Sequence, residues 1–345
     1  MRPTLGAVCA ALIFLVAAWV LRGFLEALLA SSVIAVASWP LYRAFDARMP
    51  RRLPRAARSA IFVTLIATFV LVPLMLALVA LVAEAHATLL ALSEADRRGI
   101  GAPAWLAHIP LAGPWLQARW LHDLARPGAL SVWVEQADPA ALLSWAKSLG
   151  QFTLRHLFIV AFTVLLLFFH FQNGEALWQA LRAGLRERVG AGGDRYLEVA
   201  RDTVRSAVES MLLVGLFAGL GTGLAYGMAG VPHAPLWGAI TGALGLVPFL
   251  GYVAVAALAL QLAMAGAGAT ATASLVLGAA VLFTGDKVVR PAMGQSRTRL
   301  PYVWMLMACL GGFGALGLVG LVVGPVAVSL SRELLADHVL RWTPR

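Results

Sequence analysis

The chain has 345 residues, of which 60% are apolar and only 13% charged, with a formal net charge of +10 and a mean hydropathy of +0.81. This composition excludes an ordinary soluble domain and places the chain among polytopic membrane proteins. The positive charge sits mostly on arginines in short loops between apolar runs, a topology signal rather than a nucleic-acid footprint, so no nucleic-acid partner is expected. Cys9 and Cys309 both lie in apolar runs, which gives no support for a disulfide framework.

The first apolar run, Leu5 to Leu21, reads as an uncleaved span because a second run, Phe24 to Tyr42, follows almost at once. In the loop that follows, Arg43, Arg48, Arg51, Arg52, Arg55 and Arg58 oppose a single Asp46. The positive-inside rule sets this loop, and with it the N-terminus, in the cytoplasm. Ile61 to Ala83 leads outward. Residues 86–150 mix five prolines with Trp105, Trp115, Trp120, Trp133 and Trp145, which suggests short amphipathic helices on the outer bilayer surface or capping the bundle. Phe152 to Phe171 crosses inward. Residues 172–205 carry Leu177, Leu181 and Leu185 at helical spacing and break at Gly190-Ala-Gly-Gly, the pattern of a cytoplasmic helical hairpin.

Ser206 to Ala229 goes out and Gly268 to Gly285 returns, ending in a basic loop with Asp286, Lys287, Arg290, Arg297 and Arg299. Between them, Ala234 to Ala265 is too long for one span and too short for two, since a span needs about 20 apolar residues. Charge parity makes it a hairpin from the outside, turning near Leu246–Tyr252. Pro301 to Leu330 has the same awkward length, and its middle is loosened by Gly311, Gly312, Gly314, Gly317 and Gly320. It reads as a hairpin from the inside, ending before the cytoplasmic tail 332–345. Irregular backbone at membrane depth survives only when buried in protein or lining a water-filled cavity, which points to transport.

The expected fold is therefore an all-α polytopic membrane protein of about six full spans plus two oppositely oriented helical or re-entrant hairpins. Span-plus-hairpin occurs twice in the C-terminal half, the pattern of an inverted repeat. The expected organisation is spans 1–85, an extracytoplasmic region 86–150, a span 151–171, the cytoplasmic hairpin 172–205, a transport core 206–331 and the tail.

The hairpin positions Gly245, Pro248, Gly251, Tyr252, Gly311, Gly312, Gly314 and Gly317 are candidates to line a pathway. The alternative is that the glycines only permit close helix packing. Thr241, Gln261 and Thr284 are the neutral polar groups best placed to bind a polyol-like solute. Asp286 is a candidate for proton or sodium coupling, against pairing with Lys287 or Arg290. Glu209 lies one turn after Arg205, where an i,i+4 ion pair is the simpler account, and Glu26 is closer to membrane depth. His156 and His170 stand near opposite ends of one span, too far apart to share a ligand. No metal or cofactor is expected. Without Gly-x-Ser-x-Gly, His-Glu-x-x-His or Walker A motifs, an enzyme or a built-in ATP motor is disfavoured. A scaffold for envelope machinery stays open as another class.

The stretch GDKVVRPAMGQSRTRLPYVWMLMACLGGFGALGLVGLVVGPV resembles the C-terminal signature of the autoinducer-2 exporter family of bacterial inner-membrane permeases. LWGAITGALGLVPFLGY resembles that family's Gly-rich hairpin with its Pro-x-x-Gly turn, and Pro40 with Tyr42 and Arg43 resembles the end of its second span. Lys287, Tyr252 and Gly23 depart from the usual asparagine, proline and proline. The resemblance covers essentially the whole chain. It implies a homo-oligomeric permease in the lipid bilayer, moving a small polar solute; the family also contains proposed sodium/proton antiporters.

Overall fold

The computed structural model describes residues 16, 21–99, 113–123, 125–128, 139–190, 192–289 and 302–342. Regular structure among them is entirely helical. A short 3-10 turn at Arg22–Phe24 leads into α1 (Leu25–Arg48), α2 (Arg55–Arg98), α3 (Gly113–Asp123), α4 (Pro139–Val189) and α5 (Gly192–Met228). Then follow α6 (Ala234–Leu244), α7 (Leu250–Met264), α8 (Gly268–Thr284) with a π turn at Gly285–Val289, and α9 (Tyr302–Trp342). Six helical stretches among the described residues are long and apolar enough to cross a bilayer, in α1, α2, α4, α5, α8 with its π turn, and α9. The chain is an all-α polytopic membrane protein. Apart from residues 16 and 21, the apolar run 5–21 lies outside the described residues, as do the arginines at 290, 297 and 299.

Two helices run past the ends of the apolar runs that contain them. Helix α2 is 44 residues long and continues beyond Ala83 through a segment rich in alanine, leucine and glutamate, good helix formers with no proline to stop them. It ends at Gly99, whose φ of 81° is the left-handed stop that glycine makes without steric strain. Helix α4 has 51 residues, about 76 Å at the α-helical rise. It starts on Pro139, where a missing N–H is harmless, and carries the Phe152–Phe171 run without interruption into the arm expected from 172 onward. Gly190, at φ 76°, turns the chain into α5. Across that turn Arg182 Nε donates to Asp194 at 2.6 Å and Arg186 Nε to the other carboxylate oxygen at 2.7 Å. The hairpin expected over 172–205 is two helices continuous with the flanking apolar runs.

Helix α9 breaks at Leu316 (φ −133°, ψ 15°) and Gly317 (φ 60°, ψ −145°). The two arms fold against each other backbone to backbone: a Cβ on Gly312 would overlap the carbonyl of Gly320, and one on Gly324 the carbonyl of Ala308. The hairpin expected within Pro301–Leu330 therefore forms, and its arms meet at Gly312, Gly320 and Gly324.

The chain divides into two compact units, one drawn from 1–68, 153–209 and 296–345 and the other from 69–152 and 210–295. The first is centred on Ala35, Tyr42, Phe62, Val63, Leu167 and Phe171. Phe62 meets Phe171 edge-on at 5.0 Å, and the buried Tyr42 hydroxyl is bonded to Ser59 Oγ at 3.0 Å. The second is centred on Tyr226, Val255, Leu258, Leu262, Ala271 and Leu282.

Candidate functional site

The second unit builds its interior from glycine. On α5, Gly215, Gly219, Gly223 and Gly227 recur every four residues and so share one face, which receives Ala234, Gly238 and Gly242 of α6. A Cβ on Gly238 would stand 2.5 Å from Gly223 Cα and 2.7 Å from the Gly219 carbonyl oxygen. One on Gly242 would stand 2.6 Å from Gly219 Cα and 2.8 Å from the Gly215 oxygen. The two backbones touch directly, the small-xxx-small packing by which membrane helices approach most closely. This ladder is legible in the sequence as a four-residue glycine period, a signal separate from the glycines of the hairpin tips.

The contact fixes where the α6–α7 turn falls. Helix α6 has 11 residues and α7 has 15, roughly 16 and 22 Å, both short of the ~30 Å hydrocarbon core. Gly245 N–H closes onto the Thr241 carbonyl at 2.8 Å, and Leu250 N–H onto Val247 at 3.2 Å. Between them Phe249, after Pro248, takes a left-handed conformation at φ 70°, which costs a residue bearing a Cβ about 1–2 kcal/mol. Gly251 lets the turn close: a Cβ there would lie 3.1 Å from Gly245 Cα.

Facing this tip, α8 ends in the π turn, a local irregularity often found at functional sites. It presents Asp286, and the Tyr252 hydroxyl donates to the Asp286 carboxylate at 3.2 Å. Val214 and Ala218 of α5, Gly245, Pro248, Gly251 and Tyr252 of the tip, and Leu282 and Asp286 enclose a cavity of about 20 Å³, room for one water. Five residues proposed from sequence, Gly245, Pro248, Gly251, Tyr252 and Asp286, thus meet at one place. The Tyr252–Asp286 contact, across 34 positions of sequence, was not anticipated.

The other candidates lie elsewhere. Thr241 is fully buried and bonded to the Tyr226 hydroxyl at 3.1 Å, in the core beneath the tip. Gln261 is half-buried on α7, three turns from the tip. Thr284 donates to the Ala280 carbonyl of its own helix at 2.8 Å. Gly311 and Gly314 are exposed with open space where a side chain would go, Gly312 packs against the opposite arm, and Gly317 forms the kink. Glu209 is paired with Arg205 at 2.7 Å. Glu26 stands in the first turn of α1, paired with Arg155 at 2.6 Å. His170 donates from Nδ1 to the Leu166 carbonyl at 2.7 Å and meets Ser32 Oγ at 3.2 Å. Among the described residues no three metal-ligating side chains cluster.

Membrane-length helices with a broken apolar hairpin whose tip meets a carboxylate fit a membrane transport protein. The family model described as AI-2E family transporter matches residues 8–339, and the chain belongs to that family. It is 24% identical over 333 residues to the protein named "Putative transport protein YdiK" of Escherichia coli (strain K12), covering 94% of this chain and 87% of that one. A relative from Buchnera aphidicola subsp. Baizongia pistaciae is 22% identical over 92% of this chain and 86% of its own. One from Aquifex aeolicus (strain VF5) is 28% identical over 54% and 52%. Both are likewise named as transport proteins.

Proposed function

We propose that this permease is a secondary transporter that exports a small polar signal or metabolite, with autoinducer-2 as the model solute, by alternating access. The observation that carries the reading is the tip of α6–α7. A hairpin too short to cross the bilayer has at its tip a left-handed residue and a tyrosine bonded to the carboxylate at the end of α8. An ionisable group where a span ends against a broken helix is a functional candidate, and broken helices mark solute sites in transporters built from inverted repeats. In this reading residues 206–331 carry the pathway, and the helices before residue 172 form a scaffold and oligomer contact. The protein lies in the bacterial inner membrane with both termini in the cytoplasm.

The same observation favours a second reading, cation/proton antiport. A proton or sodium ion arriving at Asp286 competes with the Tyr252 hydroxyl for the carboxylate, which would tie ion occupancy to the conformation of the tip. Both readings are tested in proteoliposomes with imposed proton and sodium gradients, with and without autoinducer-2. Asp286→Asn abolishes gradient-driven flux while insertion stays normal, and Tyr252→Phe reduces it. Flux that survives Asp286→Asn with unchanged pH dependence removes Asp286 from the mechanism. Solute movement without any gradient dependence leaves a uniporter.

A further inference from the structure

A second cavity, of about 320 Å³, lies in the first unit where the end of α1, the start of α2 and the middle of α4 meet. Its size falls in the range of small-molecule sites. Trp39 and Phe171 stack on one side, with ring planes 14° apart and centroids 6.1 Å apart. Gly174 makes room for the indole, since a Cβ there would stand 2.6 Å from it. The rest of the wall is charged. Glu175 is held by Arg55 at 2.9 Å and Asp46 by Arg58 at 2.7 Å, so each carboxylate already has its cation. Arg43 lines the cavity as well, and no carboxylate pairs with it among the described residues. The walls and their partners therefore carry one uncompensated positive charge.

We propose that this cavity binds the phosphate of an anionic phospholipid headgroup, with Arg43 as its principal donor and Arg55 beside it. Three features favour a lipid over a dissolved anion. Trp39 and Tyr42 are the residue types that settle at the headgroup level of a bilayer. Leu41, which precedes the lining residue Tyr42 and is 67% exposed, offers apolar surface for an acyl chain. The cavity also opens beside the arginine-rich turn 43–58, and basic pockets between membrane helices on that side attract anionic lipids. A guanidinium suits the task because its planar fork engages two phosphate oxygens at once.

The test uses the full-length protein, delipidated in detergent and titrated with phosphatidylglycerol, phosphatidylcholine or inorganic phosphate. Bound lipid is counted by native mass spectrometry and melting is followed in parallel. Phosphatidylglycerol is retained and raises the melting temperature; phosphatidylcholine and inorganic phosphate do neither. Arg43→Gln weakens phosphatidylglycerol binding about tenfold or more, the usual effect of losing one charge-assisted hydrogen bond. Arg52→Gln, an equal charge change on an exposed residue of the same turn, leaves it nearly unchanged. Ala47→Trp fills the cavity from its wall with every charge retained, and also lowers binding. Equal losses in Arg43→Gln and Arg52→Gln overturn the proposal in favour of diffuse surface attraction. Displacement of the lipid by millimolar phosphate overturns its lipid specificity, and undiminished binding in Ala47→Trp overturns the location.

Discussion

Replacing Gly238 by alanine adds a single methyl group to α6, at the point where its backbone lies on α5. That methyl would stand 2.5 Å from Gly223 Cα and 2.7 Å from both the Gly219 carbonyl oxygen and the Gly223 nitrogen. Carbon atoms pack at about 3.5–4.0 Å, so the helices must separate by roughly 1 Å, and the obstacle is backbone that no rotamer change can move. Overpacking of this kind costs about 1–3 kcal/mol. Against it stands the gain of about 1 kcal/mol from alanine's better helix propensity, which leaves a net loss of up to about 2 kcal/mol. Gly311→Ala is the matched control: it gains the same propensity and meets nothing within 4 Å. Thermal unfolding of the purified protein in detergent should show Gly238→Ala melting lower than wild type and Gly311→Ala at or slightly above it. Because the separation would shift the α6–α7 tip away from Asp286, flux should fall in Gly238→Ala even where the protein remains folded. Equal melting temperatures for the two variants would refute the direct backbone contact on which the site's geometry rests.

In α9, Gly312→Val forces apart two arms that touch through backbone, so stability and flux should fall together, whereas Gly314→Val, facing open space, should change melting by less than about 1 kcal/mol. Asp194, held by Arg182 and then Arg186, has its pKa lowered from 3.8 to about 2. A carboxylate with a depressed pKa stabilises the fold above its unfolded value and stops doing so as pH falls through the folded one. The α4–α5 turn should therefore be fully held above about pH 4 and loosen toward pH 2, measurable as faster amide exchange near Gly190; Asp194→Asn should loosen it at pH 7 and erase that dependence. Single cysteines near Arg52 and Arg188 should react with a membrane-impermeant reagent only from the cytoplasm, and one at His233 only from outside; labelling of Arg188 and His233 positions from the same side would contradict the proposed orientation.

The places where the sequence was most readable are those where local chemistry decides the outcome. Gly190 stops α4, Leu246–Tyr252 contains the α6–α7 turn, and the glycine cluster around Gly317 breaks α9, because each needs dihedrals that the surrounding residues resist. The Arg205–Glu209 pair follows from helical spacing alone. Continuity was harder to see. Hydropathy marks where a helix leaves lipid, not where it ends, so the extensions of α2 to Arg98 and α4 back to Pro139 had no apolar signature. The meeting of Tyr252 with Asp286 depends on α7 packing along α8, a tertiary fact that neither segment encodes by itself. The dual character of the α9 glycines was visible only as an ambiguity: Gly312 and Gly317 have the same side chain, and only the fold separates the one that packs from the one that turns.

The glycine face of α5 repeats with the same four-residue interval as the small residues of α6, so the glycines by themselves do not choose a register. In the observed register Gly238 lies over Gly223, and Gly242 over Gly219. Sliding α6 by one helical turn, about 6 Å, would set Gly238 over Gly219, Gly242 over Gly215 and Ala234 over Gly223. The glycines alone would accept that step, but Leu246, whose side chain lies on Gly215, would then face Met211, and Thr241 would leave the Tyr226 hydroxyl. The one leucine and the one buried hydroxyl pair therefore pin a sliding surface that the glycines leave smooth, and with it the reach of the Tyr252 hydroxyl to Asp286.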